Sequence, residues 1–203
     1  MQLGDSVSSD EIVASMLGAE IDADPWSEHI RTALELFGWS EDLVRRPDTS
    51  NPRENVRRAR LLAVYRGWGR NHYLFAGFPA DVQWFAVLLH ANDVADLRYI
   101  RQDGWDSRSV ADGAEVVKVG GILARPESTE KIRAIAAQIE KGTFESRQPL
   151  IVVANDPAGP FTLLDGHHRA TALALAQVPV DRQVPALLGV SALMKDWPFW
   201  PAP

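Results

Sequence analysis

Residues 163–175 read LLDGHHRATALAL, and their reading decides the fold. An apolar pair ends a run of strand character, FTLL at 161–164. One glycine follows an aspartate, and an alanine- and leucine-rich segment then has the length and composition of a buried helix. The order is strand, tight turn, helix. Gly166 allows a backbone geometry that a side chain would block. Four polar groups, Asp165, His167, His168 and Arg169, crowd that turn at the mouth of an apolar helix.

The surrounding segments extend the pattern in both directions. PLIVVA (149–154) reads as a buried strand, NDPAGP (155–160) as a turn, and FTLL as a strand pairing back. VPALLGV (184–190) reads as a last strand. Upstream, STEKIRAIAAQIEKG is the clearest helix, with Ile132, Ile135, Ala136 and Ile139 in one stripe. Ser128 is its expected cap and Gly142 its stop. VQWFAVLL (82–89) reads as a buried strand and NDVADLRYI (92–100) as a short helix capped by Asn92. A strand is expected around Val116–Val119. The prolines of MKDWPFWPAP exclude long regular structure there, and its tryptophans are expected to pack back on the body.

The N-terminal part has a different texture. The first two dozen residues are acidic and weakly apolar, and read as a frayed arm or one marginal helix. WSEHIRTALELF (26–37) has helical spacing, with Ser27 as cap and Gly38 as stop. RRPDTSNPREN reads as a loop. ENVRRARLLAVYRGW (54–68) is a basic amphipathic helix whose charges read as a solvated face. The expectation is an α/β or α+β chain: a helical N-terminal region, 1–80, and a mixed-sheet domain, 81–203.

Composition narrows the function classes. The 203 residues are 46% hydrophobic and 24% charged, ordinary values for a packed core. The net charge of -6 argues against a duplex DNA binder, which carries a basic face for phosphate. RENVRRARLLAVYRGWGR (53–70) is the one basic element that would serve such a role. With no cysteine, disulfides, cysteinyl zinc sites and thiol nucleophiles are excluded. No secretory signal and no run near the roughly 20 apolar residues of a membrane span are read, so cytoplasm is the expected compartment. A serine hydrolase is excluded, since no G-x-S-x-G elbow is present. Adjacent histidines diverge by about 100° on a helix, which argues against zinc. His29, His72 and His90 are scattered and read as structural or surface residues.

The turn suits an anion. The first N–H groups of a helix lack intrahelical acceptors, and with the helix dipole they favour negative charge. Arg169 can clamp phosphate and the histidines can donate to it. Asp165 is out of place there unless it holds a divalent metal or accepts a proton from an attacking hydroxyl. The plain alternative is that Asp165 caps the helix and the histidines lie on the surface.

Together, IRAIAAQIEKG, QPLIVVA, LLDGHHRATALAL and VPALLGV resemble the ParB/sulfiredoxin-like superfamily. The likeness covers roughly residues 80–190 and is strongest over 128–188. Asp-Gly-His-His-Arg is most similar to the motif of ParB-like free serine kinases. That resemblance implies a nucleotide-dependent phosphotransferase acting on a small hydroxyl-bearing substrate, with ATP or ADP and Mg²⁺. Gly166, His167, His168, Arg169 and Thr171 would hold the nucleotide. Asp165 would serve chemistry and metal, beside His167. A glutamate base from an upstream segment would be Glu127, with Glu130 and Glu115 as competitors. Sulfiredoxins carry a cysteine where this chain has His167, so their reduction chemistry is not implied. Partitioning ParB proteins show Gly-Glu-Arg-Arg at this turn and a following DNA-binding domain, whereas only about 35 residues follow here. The alternatives are a nucleotide-sensing module without turnover, and a nucleic-acid-binding protein. A homodimer is left open.

Overall fold

The computed structural model describes residues 2–101, 119, 126–144, 148–176, 178–179 and 182–201. It divides into two compact units, residues 7–80, and residues 1–6 together with 81–203. The described residues form a mixed α/β protein with one six-stranded mixed sheet and seven α-helices. Among them, no helix is long and apolar enough to cross a membrane.

Unit 7–80 is helical. Helix α1 (Ser9–Glu20) begins in a reciprocal cap: Ser8 Oγ accepts from the Glu11 amide at 3.2 Å, and Glu11 Oε2 accepts from the Ser8 amide at 2.8 Å. Ile12, Val13, Met16 and Leu17 are buried. The first two dozen residues are thus no frayed arm, and strand β1 (Gln2–Val7) precedes the helix. Helix α2 (Trp26–Phe37) starts one residue before its expected cap; Ser27 Oγ instead donates to Asp24 at 2.9 Å. Gly38 ends it in the left-handed conformation, as its position predicts. The expected loop holds one helical turn, α3 (Asp42–Arg45). Helix α4 (Pro52–Arg66) is capped by Asn51, whose Oδ1 accepts from the amides of Arg53 and Glu54. Its charges are not all solvated. Arg58 is fully buried and donates to the Leu43 and Asp48 carbonyls and to Glu54. Arg66 is buried against Glu20.

The sheet has the order β1-β2-β6-β4-β5-β3. Strand β2 (Gln83–His90) runs antiparallel to β6 (Gln183–Val190), and β4 (Leu150–Ala154) runs parallel to β6. Strand β5 (Thr162–Asp165) turns back antiparallel to β4, and the short β3 (Arg98–Tyr99) pairs parallel to β5. Strand β2 is not buried throughout: Trp84, Val87 and Leu89 are buried, while Gln83, Leu88 and His90 are exposed. Trp84 lies opposite Gly189, and a β-carbon there would sit 2.5 Å from its ring.

Helices α5 (Ala91–Asp96), α6 (Pro126–Glu140) and α7 (His167–Leu175) complete this unit. Asn92 lies inside α5, and the start is fixed by Asp93, which accepts from the His90 amide at 2.8 Å. Helix α6 starts before Ser128, which is therefore not its cap, while Gly142 closes its end at φ 68°. The predicted stripe is the buried one: Ile132, Ala136 and Ile139 join Val152, Leu163 and Leu173 in one core, with Ile135 packed against it. Ile132→Ala should lower stability by about 2–5 kcal/mol, the usual cost of truncating a fully buried isoleucine. A urea titration followed by near-UV circular dichroism measures it. In the tail, Met194, Trp197 and Trp200 are buried, as expected of its tryptophans. The strand expected at Val116–Val119 lies, apart from Val119, outside the described residues; the Val119 amide donates to the Leu97 carbonyl at 2.8 Å.

Candidate anion site at the Gly166 turn

Strand pairing brings several chain segments to one end of the sheet. Strand β5 ends at Asp165 opposite Ile151, near the start of β4. The starts of β4 and β6 lie at the same end because the two strands are parallel, and His90 at the end of β2 pairs with Gln183. The chain then leaves the sheet at Gly166 with φ 91° and ψ 23°, a left-handed conformation that turns it straight into α7. The Ala170 amide donates to the Gly166 carbonyl, closing the first helical turn.

Arg169 folds back over this turn. Its Nη2 donates to Asp165 Oδ2 at 3.3 Å, and its Nη1 donates to the Gln148 carbonyl. Both side chains of the pair are mostly buried, 17% and 15% exposed. Burial draws the Arg169 guanidinium below its usual range, and the neighbouring Asp165 charge opposes that shift. The expected open clamp is thus a braced one. Arg169 ties the end of β5 to the segment before β4, and it holds Asp165 at the helix mouth.

A second set of contacts braces the turn. The His167 ring stacks on Tyr99 with centroids 5.6 Å apart and planes at 23°. Thr171 Oγ1 donates to the His167 carbonyl at 2.7 Å, and the Tyr99 and Thr171 hydroxyls are hydrogen-bonded. Tyr99 and Thr171 are both buried. Thr171, expected to touch a nucleotide, is buried and hydrogen-bonded to Tyr99 and to the His167 carbonyl, and the His167 ring is stacked on Tyr99. Asp165, Gly166, His167, His168 and Arg169 are all partly exposed at the helix mouth.

Beside the turn lies a cavity of about 220 Å³, whose walls include Phe144, Leu150, Leu173 and Val184 and the arginines Arg169 and Arg182. Arg182 was not singled out from the sequence. It joins the site only through the parallel pairing of β4 with β6, which no local pattern announces.

The candidate base is not placed: the side chains of Glu127 and Glu115 lie outside the described residues. Glu130 is exposed on α6. Among the described residues, no three histidine or carboxylate side chains gather as a metal site. A single carboxylate fits the way Mg²⁺ usually arrives, held by one or two carboxylates and the phosphates of its substrate. Two of the remaining histidines have local partners: His29 Nδ1 lies 3.0 Å from the Pro25 carbonyl, and His72 packs edge-on against Tyr73. Comparison of the chain with protein-family models, with curated proteins and with solved structures finds no match.

Proposed function

We propose that the chain is a ParB-like nucleotide-dependent phosphotransferase for a small hydroxyl-bearing substrate, with the Gly166 turn as its phosphate site. The observation that carries this reading is Asp165 held by Arg169 at the N-terminus of α7. A helix N-terminus attracts phosphate. A carboxylate at that point has a use in phosphoryl transfer, where it can orient the incoming hydroxyl or take its proton. ATP or ADP, arriving with Mg²⁺, would lie with its phosphates on the first turn of α7. His168 and the Arg169 edge would contribute positive charge. Mg²⁺ would neutralise charge on the transferring phosphate, and Asp165 would be its protein ligand. Glu127 is proposed as the second carboxylate.

One observation favours a second reading, nucleotide binding without turnover. Asp165 is already committed to Arg169, which suits a charge-balanced binding turn as well as a catalytic one. The experiment is a panel of ATP, ADP, CTP and GTP with Mg²⁺, followed by thermal shift and by phosphate and diphosphate release over a range of small alcohols and hydroxy acids. Asp165→Asn should reduce turnover at least about tenfold, or about 1.4 kcal/mol of transition-state stabilisation, while keeping the nucleotide-induced thermal shift. Saturable binding with no release in the wild type establishes the second reading. No binding by any of the four rejects both.

A further inference from the structure

The basic segment of α4 presents an exposed face with chemistry of its own. Within unit 7–80 five of the nine arginines are paired with carboxylates. Arg31 and Arg45 share Asp22 and Glu41, Arg46 pairs with Asp42, Arg58 with Glu54, and Arg66 with Glu20. Arg53, Arg57 and Arg60 differ: among the described residues no carboxylate pairs with them. At spacings of three and four they fall on one face of α4, and all three are exposed. They line an open groove of about 500 Å³ with Trp39 and Val56.

The groove is built as well as charged. Phe37 and Trp39 pack together at 4.7 Å. The Arg60 guanidinium lies 4.4 Å from the Phe37 ring centre, and that of Arg57 lies 5.6 Å from the Trp39 ring centre. Each arginine is thus held over a ring while its N–H edge remains available to an anion. Between them Val56 is 70% exposed, and Val64, two helical turns further on, is 50% exposed. Positive charge without a partner alternates here with apolar surface without cover.

We propose that this face of α4 docks an acidic amphipathic peptide segment of another protein, its carboxylates on Arg53, Arg57 and Arg60 and its apolar side chains on Val56. Charge complementarity selects an anionic occupant, since bidentate arginine–carboxylate pairing uses the free N–H edges. The aliphatic surface selects a peptide over a single-stranded nucleic acid. Nucleic-acid grooves present open aromatic faces to stack bases, whereas both rings here are already covered by arginine and the remaining surface is valine. Helix-in-groove recognition uses apolar anchors at three- and four-residue spacing, the same period as the arginines.

The test uses the full chain and a short fluorescein-labelled peptide of glutamates with leucines at three- and four-residue spacing, read by anisotropy. Binding is expected, weakening as NaCl is raised. Arg57→Glu/Arg60→Glu should raise the Kd at least about tenfold, the equivalent of about 1.4 kcal/mol, and Arg57→Gln/Arg60→Gln should raise it by less. The thermal melting of both variants should match the wild type, since these side chains are exposed. Absence of peptide binding overturns the proposal, as does equal binding by the charge-reversed variant. Preferential binding of a uridine-rich oligonucleotide that the variant loses also overturns it. So does concentration-dependent self-association of the wild type, in sedimentation velocity, that the variant abolishes.

Discussion

Glu20→Ala is expected to destabilise the protein by about 3–5 kcal/mol, the cost of breaking a buried ion pair from one side. Glu20, the last residue of α1, is 2% exposed. Its carboxylate accepts from the Tyr65 hydroxyl at 2.6 Å and from Arg66 through Nε at 3.0 Å and through Nη2. Arg66 is itself buried, with its guanidinium 3.7 Å from the Trp26 ring centre. Alanine at position 20 would strand that guanidinium in a low-dielectric setting. Arginine cannot escape by giving up its proton, so the penalty falls on the fold. Glu20→Gln, which keeps an acceptor for Tyr65, should cost less. A double replacement by methionines should recover much of the loss, because the charge and its partner leave together. Guanidinium titration followed by tryptophan fluorescence distinguishes these cases. A loss below about 1 kcal/mol for Glu20→Ala would show that the pair behaves as a solvated surface bridge.

How much of this was legible in the sequence depended on distance along the chain. Strands β4, β5 and β6 and helices α6 and α7 announce themselves because their periods are local and their apolar sides face one core. Helix α1 hides its period: every residue from Ile12 to Leu17 is buried, so no polar face contrasts with an apolar one. Strand β1 is a weak strand by composition and is ordered at the edge of the sheet beside β2, which lies far away in sequence. The caps expected at Ser27, Asn92 and Ser128 fall inside their helices, because residue type names a capable oxygen without fixing where the helix begins; Ser27 Oγ instead donates to Asp24, and the His90 amide donates to Asp93. Buried charges were the least legible. Arg66 finds Glu20 across 46 residues, and Arg169 finds the Gln148 carbonyl across 21. An arginine in an amphipathic pattern reads as solvated until such a partner is known. In the candidate site, the strand–glycine–helix turn was readable from residues 163–175. The inward brace of Arg169, the Tyr99–Thr171 hydrogen bond and the arrival of Arg182 were not, since each depends on which strands pair.

Gly166→Ala should cost about 2–5 kcal/mol and weaken the proposed anion binding at the turn as well, because two effects coincide at this position. The first is local. At φ 91° an L-residue meets its own backbone, worth about 1–2 kcal/mol. The second is contact. A β-carbon here would lie 2.6 Å from Leu150 Cδ2 and 3.0 Å from Arg169 Nη2. Neither neighbour yields easily. Leu150 is 2% exposed in the core at the start of β4, and Arg169 is tied to Gln148 on one side and Asp165 on the other. Overpacking of this kind typically adds about 1–3 kcal/mol. Gly142→Ala supplies the comparison, with φ 68° and nothing within 4 Å of the added carbon, so it should carry the backbone strain alone. Denaturant midpoints of the two variants, measured in parallel, separate strain from contact. If Gly166→Ala falls no further than Gly142→Ala, then Leu150 and the Arg169 brace give way freely. The turn would then be too soft to hold Asp165 in place for chemistry, and binding without turnover would become the better account of the site.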